Sequence, residues 1–207
     1  MTTDLFHAMI WLSSWGDDRV LISKLKDRPE IFSIFHVMGT ASYLLDVFVA
    51  HKKHLRHLIW EIKRYVMSPQ FPMPIVNSLS TQKILKVYKY QKEFNITYYS
   101  EDRVYAFTRL YYGGSDELFS QKLMNEPVLK SILRLQGGIT FLLEVMASNS
   151  HEVINLLERI KAIPAVSQLE TQEVLSVVKY RGVLFEDPTA LPTFIAPTIK
   201  PGDVVTL

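Results

Sequence analysis

The chain has 207 residues, 48% hydrophobic and 21% charged, a balance that suits packed globular units and excludes a disordered scaffold. It contains no cysteine, which removes disulfides, thiolate metal sites and cysteine nucleophiles together. The net charge of +2 is too small to imply a nucleic-acid partner, and no apolar run approaches the roughly eighteen residues a membrane helix needs. The N-terminus also lacks the basic, apolar and small-residue order of a signal peptide, so a soluble, cytoplasmic protein is expected. The small net charge hides an asymmetry: residues 1–95 carry 13 Lys and Arg against 8 Asp and Glu, and residues 96–207 carry 10 against 13.

In chain order, the alternating His7–Ser13 predicts a strand, and Asp17–Lys26 a helix whose opening acidic residues suit its N-terminal dipole. Pro29 ends that region. Ile31–Met38 and Tyr43–Val49 are β-rich runs flanking Gly-Thr-Ala-Ser, which reads as a hairpin turn with a glycine available for positive φ. His51–Met67 predicts a second helix, with Leu55, Leu58, Ile59, Ile62 and Val66 at the spacing of a buried stripe. The proline-rich SPQFPMPIV, Ser68–Val76, cannot continue a helix and reads as an inserted loop. Thr81–Tyr90 predicts a closing strand.

The same order then recurs. Lys24, Leu25, Pro29, Ser33, Ile34, Gly39, Leu44, Leu45 and Val47 return 98 positions later as Lys122, Leu123, Pro127, Ser131, Ile132, Gly137, Leu142, Leu143 and Val145. The helical stripe returns at the same offset as Val153, Leu156, Leu157 and Ile160, and TQKILKVYKY from Thr81 returns as TQEVLSVVKY from Thr171 at an offset of 90. One unbroken register over that length is a duplication.

Strand, helix, strand, strand, helix, strand is the ferredoxin-like split unit, with both helices on one face of a four-stranded sheet. The expected fold class is α+β: two tandem ferredoxin-like βαββαβ units forming an intrachain pseudo-dimer of the dimeric α/β-barrel or sandwich type. The expected domains are 1–95, 96–185 and an extended C-terminal arm, 186–207. The arm is too apolar for a free linker and is expected to pack on a sheet edge or on a neighbouring subunit.

The hairpin suggests one candidate site. A loop of Thr40, Ala41 and Ser42 sets Val37 opposite Leu45 and Phe35 opposite Val47 on the helix side, leaving His36 opposite Asp46 on the open face. The second copy then sets Arg134 opposite Glu144, and the first strands contribute Trp11 and Arg109. Guanidinium suits a carboxylate and an acidic side chain suits an amine, which together describe an amino-acid ligand; the alternative is a seam of cross-strand ion pairs. His51, His54 and His57 cannot converge on one ion from a single helix, so no metal site is expected and they read as part of a solvated basic face. Gly113 and Gly114 lack the spacing of a phosphate loop and read as a turn before a helix cap at Ser115. No cofactor is expected.

The unit resembles the effector-binding (RAM) domain of the Lrp/AsnC family. Gly39, Ser42, Tyr43, Leu44 and Leu45 follow the family's glycine turn and strand, as do Gly137, Thr140, Phe141, Leu142 and Leu143, with Ser42 and Thr140 in place of its usual aspartate. The closing strands with Thr81 and Lys89, or Thr171 and Lys179, also look like the family's last strand. The resemblance spans about residues 5–182 and implies a small-molecule effector, with Gly39, Ser42, Gly137 and Thr140 among its contacts, and further homo-oligomerisation. The family's N-terminal helix-turn-helix is not seen, so specific DNA binding by the family's route is not expected.

The leading reading is a stand-alone ligand-sensing and oligomerisation module that binds an amino acid or related metabolite and regulates transcription through a partner. The first alternative is a dimeric α/β-barrel enzyme with chemistry near His36 and Asp46. The second is a structural partner of a separate DNA-binding regulator.

Overall fold

A computed structural model describes residues 5–15, 18–66, 72–90, 93–94, 103–138, 140–185 and 194–195. The first copy consists of β1 (Phe6–Ser14), α1 (Asp18–Leu25), β2 (Ile31–Met38), β3 (Tyr43–Val49), α2 (Lys52–Lys63) and β4 (Val76–Tyr90). After the short β5 (Glu93–Phe94), the second runs through β6 (Val104–Tyr112), α3 (Asp116–Leu123), β7 (Leu129–Leu135), β8 (Phe141–Ala147), α4 (Ser150–Lys161) and β9 (Val166–Tyr180). Two further short strands follow, β10 (Val183–Leu184) and β11 (Phe194–Ile195). The α+β class and the βαββαβ order of each copy are as the sequence implies.

Two elements depart from expectation. The closing strands β4 and β9 are each 15 residues long, beginning five residues before the Thr-Gln that the two copies share. The helix expected over His51–Met67 stops at Lys63 and is capped by Arg64. The chain then turns away, because Ile75 N–H donates to the Tyr65 carbonyl at 2.9 Å and Val66 bridges to Pro74. The far end of the proline-rich insertion is thus stitched to the helix exit, while residues 67–71 lie outside the described residues.

By its contacts the chain forms two compact units, Met1–Lys83 with Leu175–Pro188, and Ile84–Val174 with Thr189–Leu207. In the first, the sheet order is β4 (its residues 76–83), β1, β3, β2, then the end of β9 and β10. In the second it is the start of β9, then β6, β8, β7 and residues 84–90 of β4. Sequence copies and compact units therefore share their first five elements and differ at the closing strands.

A lysine secures the last strand of each unit. Lys179 Nζ donates to the Arg28 carbonyl at 2.9 Å in the first, and Lys89 Nζ to the Glu126 carbonyl at 2.7 Å in the second. Arg28 and Glu126 are themselves 98 residues apart, so the device is duplicated. Burial removes water from both ammonium groups and holds them below the ordinary lysine range.

The helix-covered core of the first unit joins Leu21 and Leu25 of α1 and Leu55, Leu58 and Ile62 of α2 to Ala8, Ile10, Ile34, Tyr43, Leu45 and Val47 on the sheet. In the second, Phe119, Leu123, Val153, Leu156 and Ile160 meet Leu110, Ile132, Phe141, Leu143 and Val145. Truncating a fully buried member such as Leu58 to alanine removes about 2–5 kcal/mol. α3 starts as expected, with Ser115 Oγ accepting from Leu118 N–H.

A charged tether between the turn after the first helix and the end of the second appears in both units with its signs exchanged. Arg28 binds Glu61 at 2.8 Å in the first unit, and at the corresponding positions Glu126 is bound by Arg159 at 2.5 Å in the second. The Arg28 hydrogen bond holds the Glu61 carboxyl below its ordinary range and raises the guanidinium in turn.

The hairpins correct the expected register. Val37 N–H donates to the Ser42 carbonyl, so the loop is the four residues Met38–Ala41 with Gly39 at φ 143° inside it. Pairing then runs Phe35 with Leu44 and His36 with Tyr43, three residues away from the pairing of His36 with Asp46. Leu135 N–H and the Thr140 carbonyl close the second hairpin around Gly137, at φ 112°, so Arg134 faces Phe141 and not Glu144. An odd shift turns a strand over. β3 and β8 present the expected faces, whereas β2 and β7 present the opposite ones.

The described part of the C-terminal arm, Phe194–Ile195, pairs antiparallel with Glu93–Phe94 of the same chain; the remainder of 186–207 lies outside the described residues.

Two outcomes follow from these loops and tethers. Gly39→Ala and Gly137→Ala should each cost about 1–3 kcal/mol in urea unfolding, since an L side chain is strained at these φ values. Arg28→Glu should lower the melting temperature by the equivalent of up to about 1 kcal/mol, and Arg28→Glu with Glu61→Arg, which copies the second unit, should recover most of it.

Candidate functional site

Strand alternation gives each sheet a face away from its helices. In the first unit this face carries His7, Met9 and Trp11 from β1, Ser33, Phe35 and Val37 from β2, Leu44, Asp46 and Phe48 from β3, and Gln82 from β4. It is as buried as the helix side: Met9, Trp11, Phe35, Val37 and Leu44 are each at most 4% exposed. The alternation of β1 and β3 places Asp46, Met9 and Gln82 in one row across three strands.

Asp46 Oδ1 lies 2.5 Å from His7 Nε2, and the His7 ring stacks on Phe48 with centroids 3.9 Å apart. His7 is 6% exposed, while Asp46 keeps 17% of its side chain in solvent. Two polar atoms of this face, His7 Nδ1 and Gln82 Oε1, are buried with no hydrogen-bond partner among the described residues. Such atoms cost about 1–3 kcal/mol each and mark polar capacity that the fold does not use for itself. Ser33, directly across from Asp46, has its hydroxyl engaged elsewhere, accepting from Arg181 N–H at 3.1 Å.

The second unit has the same row with different chemistry. Glu144 stands where Asp46 does, 5% exposed, and both its oxygens are taken. Tyr105, at the His7 position, donates to Oε1 at 2.7 Å, and Ser131, at the Ser33 position, donates to Oε2 at 2.7 Å. The longer glutamate reaches both hydroxyls and forms a closed network. Arg109 is ion-paired with Glu170 at 2.5 Å on the same unit.

The other sequence candidates fall elsewhere. His36 lies on the helix side, stacked on Tyr43 at 5.0 Å, and so cannot share a face with Asp46. Arg134 also turns to the helix side, where its Nε donates to Asp116 at the start of α3 at 2.6 Å and its guanidinium sits over Phe141. Ser42 and Thr140 pin the hairpin ends to the first strands. Ser42 N–H donates to the Leu12 carbonyl, and Thr140 Oγ1 donates to the Leu110 carbonyl while accepting from Tyr112 N–H. Gly39 and Gly137 serve the loop conformation described above. Among the described residues no group of three His, Asp or Glu has metal-binding geometry. None of the described helices is long and apolar enough to cross a membrane.

The sequence reading missed His7, Tyr105, Gln82 and the two serines. A signal for His7 existed, since it shares the parity of Met9 and Trp11 along β1. The Thr-Gln dipeptide repeated in both closing strands likewise pointed to Gln82.

The stretch from the end of β6 through α3, β7, β8, α4 and β9 to β10 carries a family signature. Residues 112–184 match the Lrp/AsnC ligand binding domain. The resemblance read from the glycine turn is thus borne out over that Lrp/AsnC-like segment. Two crystal structures of the siroheme decarboxylase NirDL share the fold. One, in co-complex with an iron-uroporphyrin III analogue, has a TM-score of 0.63 at 8% identity and covers 86% of this chain and 74% of that one. The other has a TM-score of 0.62 at 8% identity and covers 90% and 76%. At such identity the likeness concerns the fold alone. No curated protein matches the chain.

The two carboxylates should respond differently to substitution. Glu144→Leu leaves the hydroxyls of Tyr105 and Ser131 without their acceptor in a buried network and should cost about 2–4 kcal/mol in urea unfolding. Asp46→Asn still offers His7 an oxygen acceptor and should cost less than about 1 kcal/mol.

Proposed function

We propose that the chain is a ligand-sensing module of the Lrp/AsnC type, which binds an amino acid or related small metabolite at Asp46, His7 and Gln82 on the helix-free face of its first unit. The observation that carries this reading is the asymmetry between copies. The Glu144 carboxylate is closed by its own hydroxyls, whereas Asp46 is partly exposed and lies in one row with an amide oxygen that has no partner. A ligand ammonium would find two acceptors there, one ionised and one neutral, in a setting of low dielectric where such bonds are strong. The match of residues 112–184 to a ligand binding domain supports the same class of function. The signal passes onward by self-association, as the resemblance implies, and by contact with a partner that regulates transcription.

A thermal-shift screen of the common amino acids tests this. At a concentration of about one hundred times Kd, a ligand of the native state adds about 2.7 kcal/mol, or roughly 5–10 °C for a chain of this size. Asp46→Asn should abolish the shift, and Glu144→Gln should not. Absence of any stabilising amino acid or amine-bearing metabolite, or a full shift in Asp46→Asn, would refute the reading.

A second reading is an enzyme with chemistry on this face, favoured by the short imidazole–carboxylate pair, which resembles a general base held by its orienting acid. It requires conversion of the bound ligand and loss of that conversion in His7→Gln. Unchanged ligand recovered by mass spectrometry after prolonged incubation decides for the sensor.

A further inference from the structure

The first unit also contains a groove of about 430 Å3 between the turn after α1, the end of β3 and α2. Phe48 and Leu58 give it apolar walls, and Glu30, Glu61, His54 and His57 supply its polar groups. Its walls are tied to one another. Phe48 N–H donates to the Glu30 carbonyl at 2.9 Å, and the Arg28 guanidinium bridges Glu61 at 2.8 Å and Tyr65 Oη at 3.0 Å. A site held this way loses little ordering entropy when a ligand enters.

The charge of the groove is acidic. Arg28 is committed to Glu61 and Tyr65, and Lys179, which feels the Glu30 and Asp27 charges, is bonded to the Arg28 carbonyl. Glu30 Oε2 has no hydrogen-bond partner among the described residues. The duplication provides an internal control. The apolar frame is retained at the corresponding positions, with Pro127 for Pro29 and Leu156 for Leu58, but Val128 replaces Glu30, Glu152 replaces His54, Asn155 replaces His57, and the Arg28–Glu61 pair becomes Glu126–Arg159. A groove serving only to pack α2 on its sheet needs the apolar frame; it does not need a carboxylate at position 30, where the second copy has valine.

We propose that this groove binds a small organic ammonium ion with an apolar body, of the arylalkylamine class, its ammonium on Glu30 and its ring against Phe48 and Leu58. Aromatic and aliphatic walls bury the ring, and the ammonium meets a carboxylate in a partly desolvated setting. An amino acid is disfavoured here because its carboxylate would face Glu30 and Glu61 with Arg28 already engaged. The site shares the Phe48 ring with the one proposed at Asp46, where that ring stacks on His7, and uses neither Asp46 nor Gln82.

Isothermal titration of the full chain with 2-phenylethylamine, 2-phenylethanol and phenylalanine tests it, with amide chemical shifts locating the site. The amine should saturate and shift Ala50, His54 and His57, and the alcohol and the amino acid should bind at least about tenfold more weakly. Glu30→Gln, which keeps the shape and removes the charge, should weaken the amine by about tenfold or more, while Asp46→Asn leaves it unchanged. Phe48→Leu provides a second variant, expected to weaken the amine severalfold with the shifts still confined to the groove. No saturation below roughly 10 mM, shifts located elsewhere, equal affinity for phenylalanine, or full affinity in Glu30→Gln would each overturn the proposal.

Discussion

A glycine at positive φ, Gly39 in one hairpin and Gly137 in the other, sits inside a four-residue loop and thereby sets where pairing begins on either side. With side chains alternating along a strand, the starting point decides the face of every residue after it. Pairing of β1 with β3 and β4 puts Asp46 on one face with His7 and Gln82, and because the loop closes at Val37 and Ser42, Ser33 joins that face while His36 goes under the helices with Tyr43. The same closure in the second unit sends Arg134 to Asp116 and brings Ser131 to Glu144. Each loop thus decides which residues of β2 or β7 stand beside the carboxylate, while contributing no side chain of its own.

Duplication lets the two units be compared position by position, and backbone devices prove more constant than charges. The lysine that fastens the last strand to the turn after the first helix is the same in both. The tether between that turn and the second helix is kept as a pair but reversed in sign, as expected of a partly exposed ion pair whose value lies in complementarity. At the Asp46 position the carboxylate is retained, yet its surroundings have diverged: Tyr105 and Ser131 satisfy Glu144 completely, and His7 leaves Asp46 partly in solvent. A satisfied buried network rigidifies a unit, whereas polar capacity left over is what a ligand can use. In the proposed function one copy is scaffold at this position and the other the place for binding.

The fold was legible because it rests on local signals. The stripe at Leu55, Leu58 and Ile62, its recurrence at Val153, Leu156 and Ile160, and the β-rich runs bounded at Ile31, Met38, Tyr43 and Val49 each follow from periodicities of 3.6 or 2 within one element. The end of α2 was less legible. Val66 continues the apolar spacing, but it bridges to Pro74 at the far end of the insertion, and no helical pattern contains that information.

By itself, the sequence determined the duplication, the βαββαβ order, the helix faces and the presence of an acidic residue at positions 46 and 144, all of which are written in spacing and residue type. Only the tertiary structure decided which residues stand beside those carboxylates. Register depends on how many residues the glycine loop encloses, a choice made by backbone closure between Val37 and Ser42 and between Leu135 and Thr140. The partners His7 and Tyr105 come from strands 39 residues away in sequence, and the contacts that join them to Asp46 and Glu144 exist only once three strands are side by side.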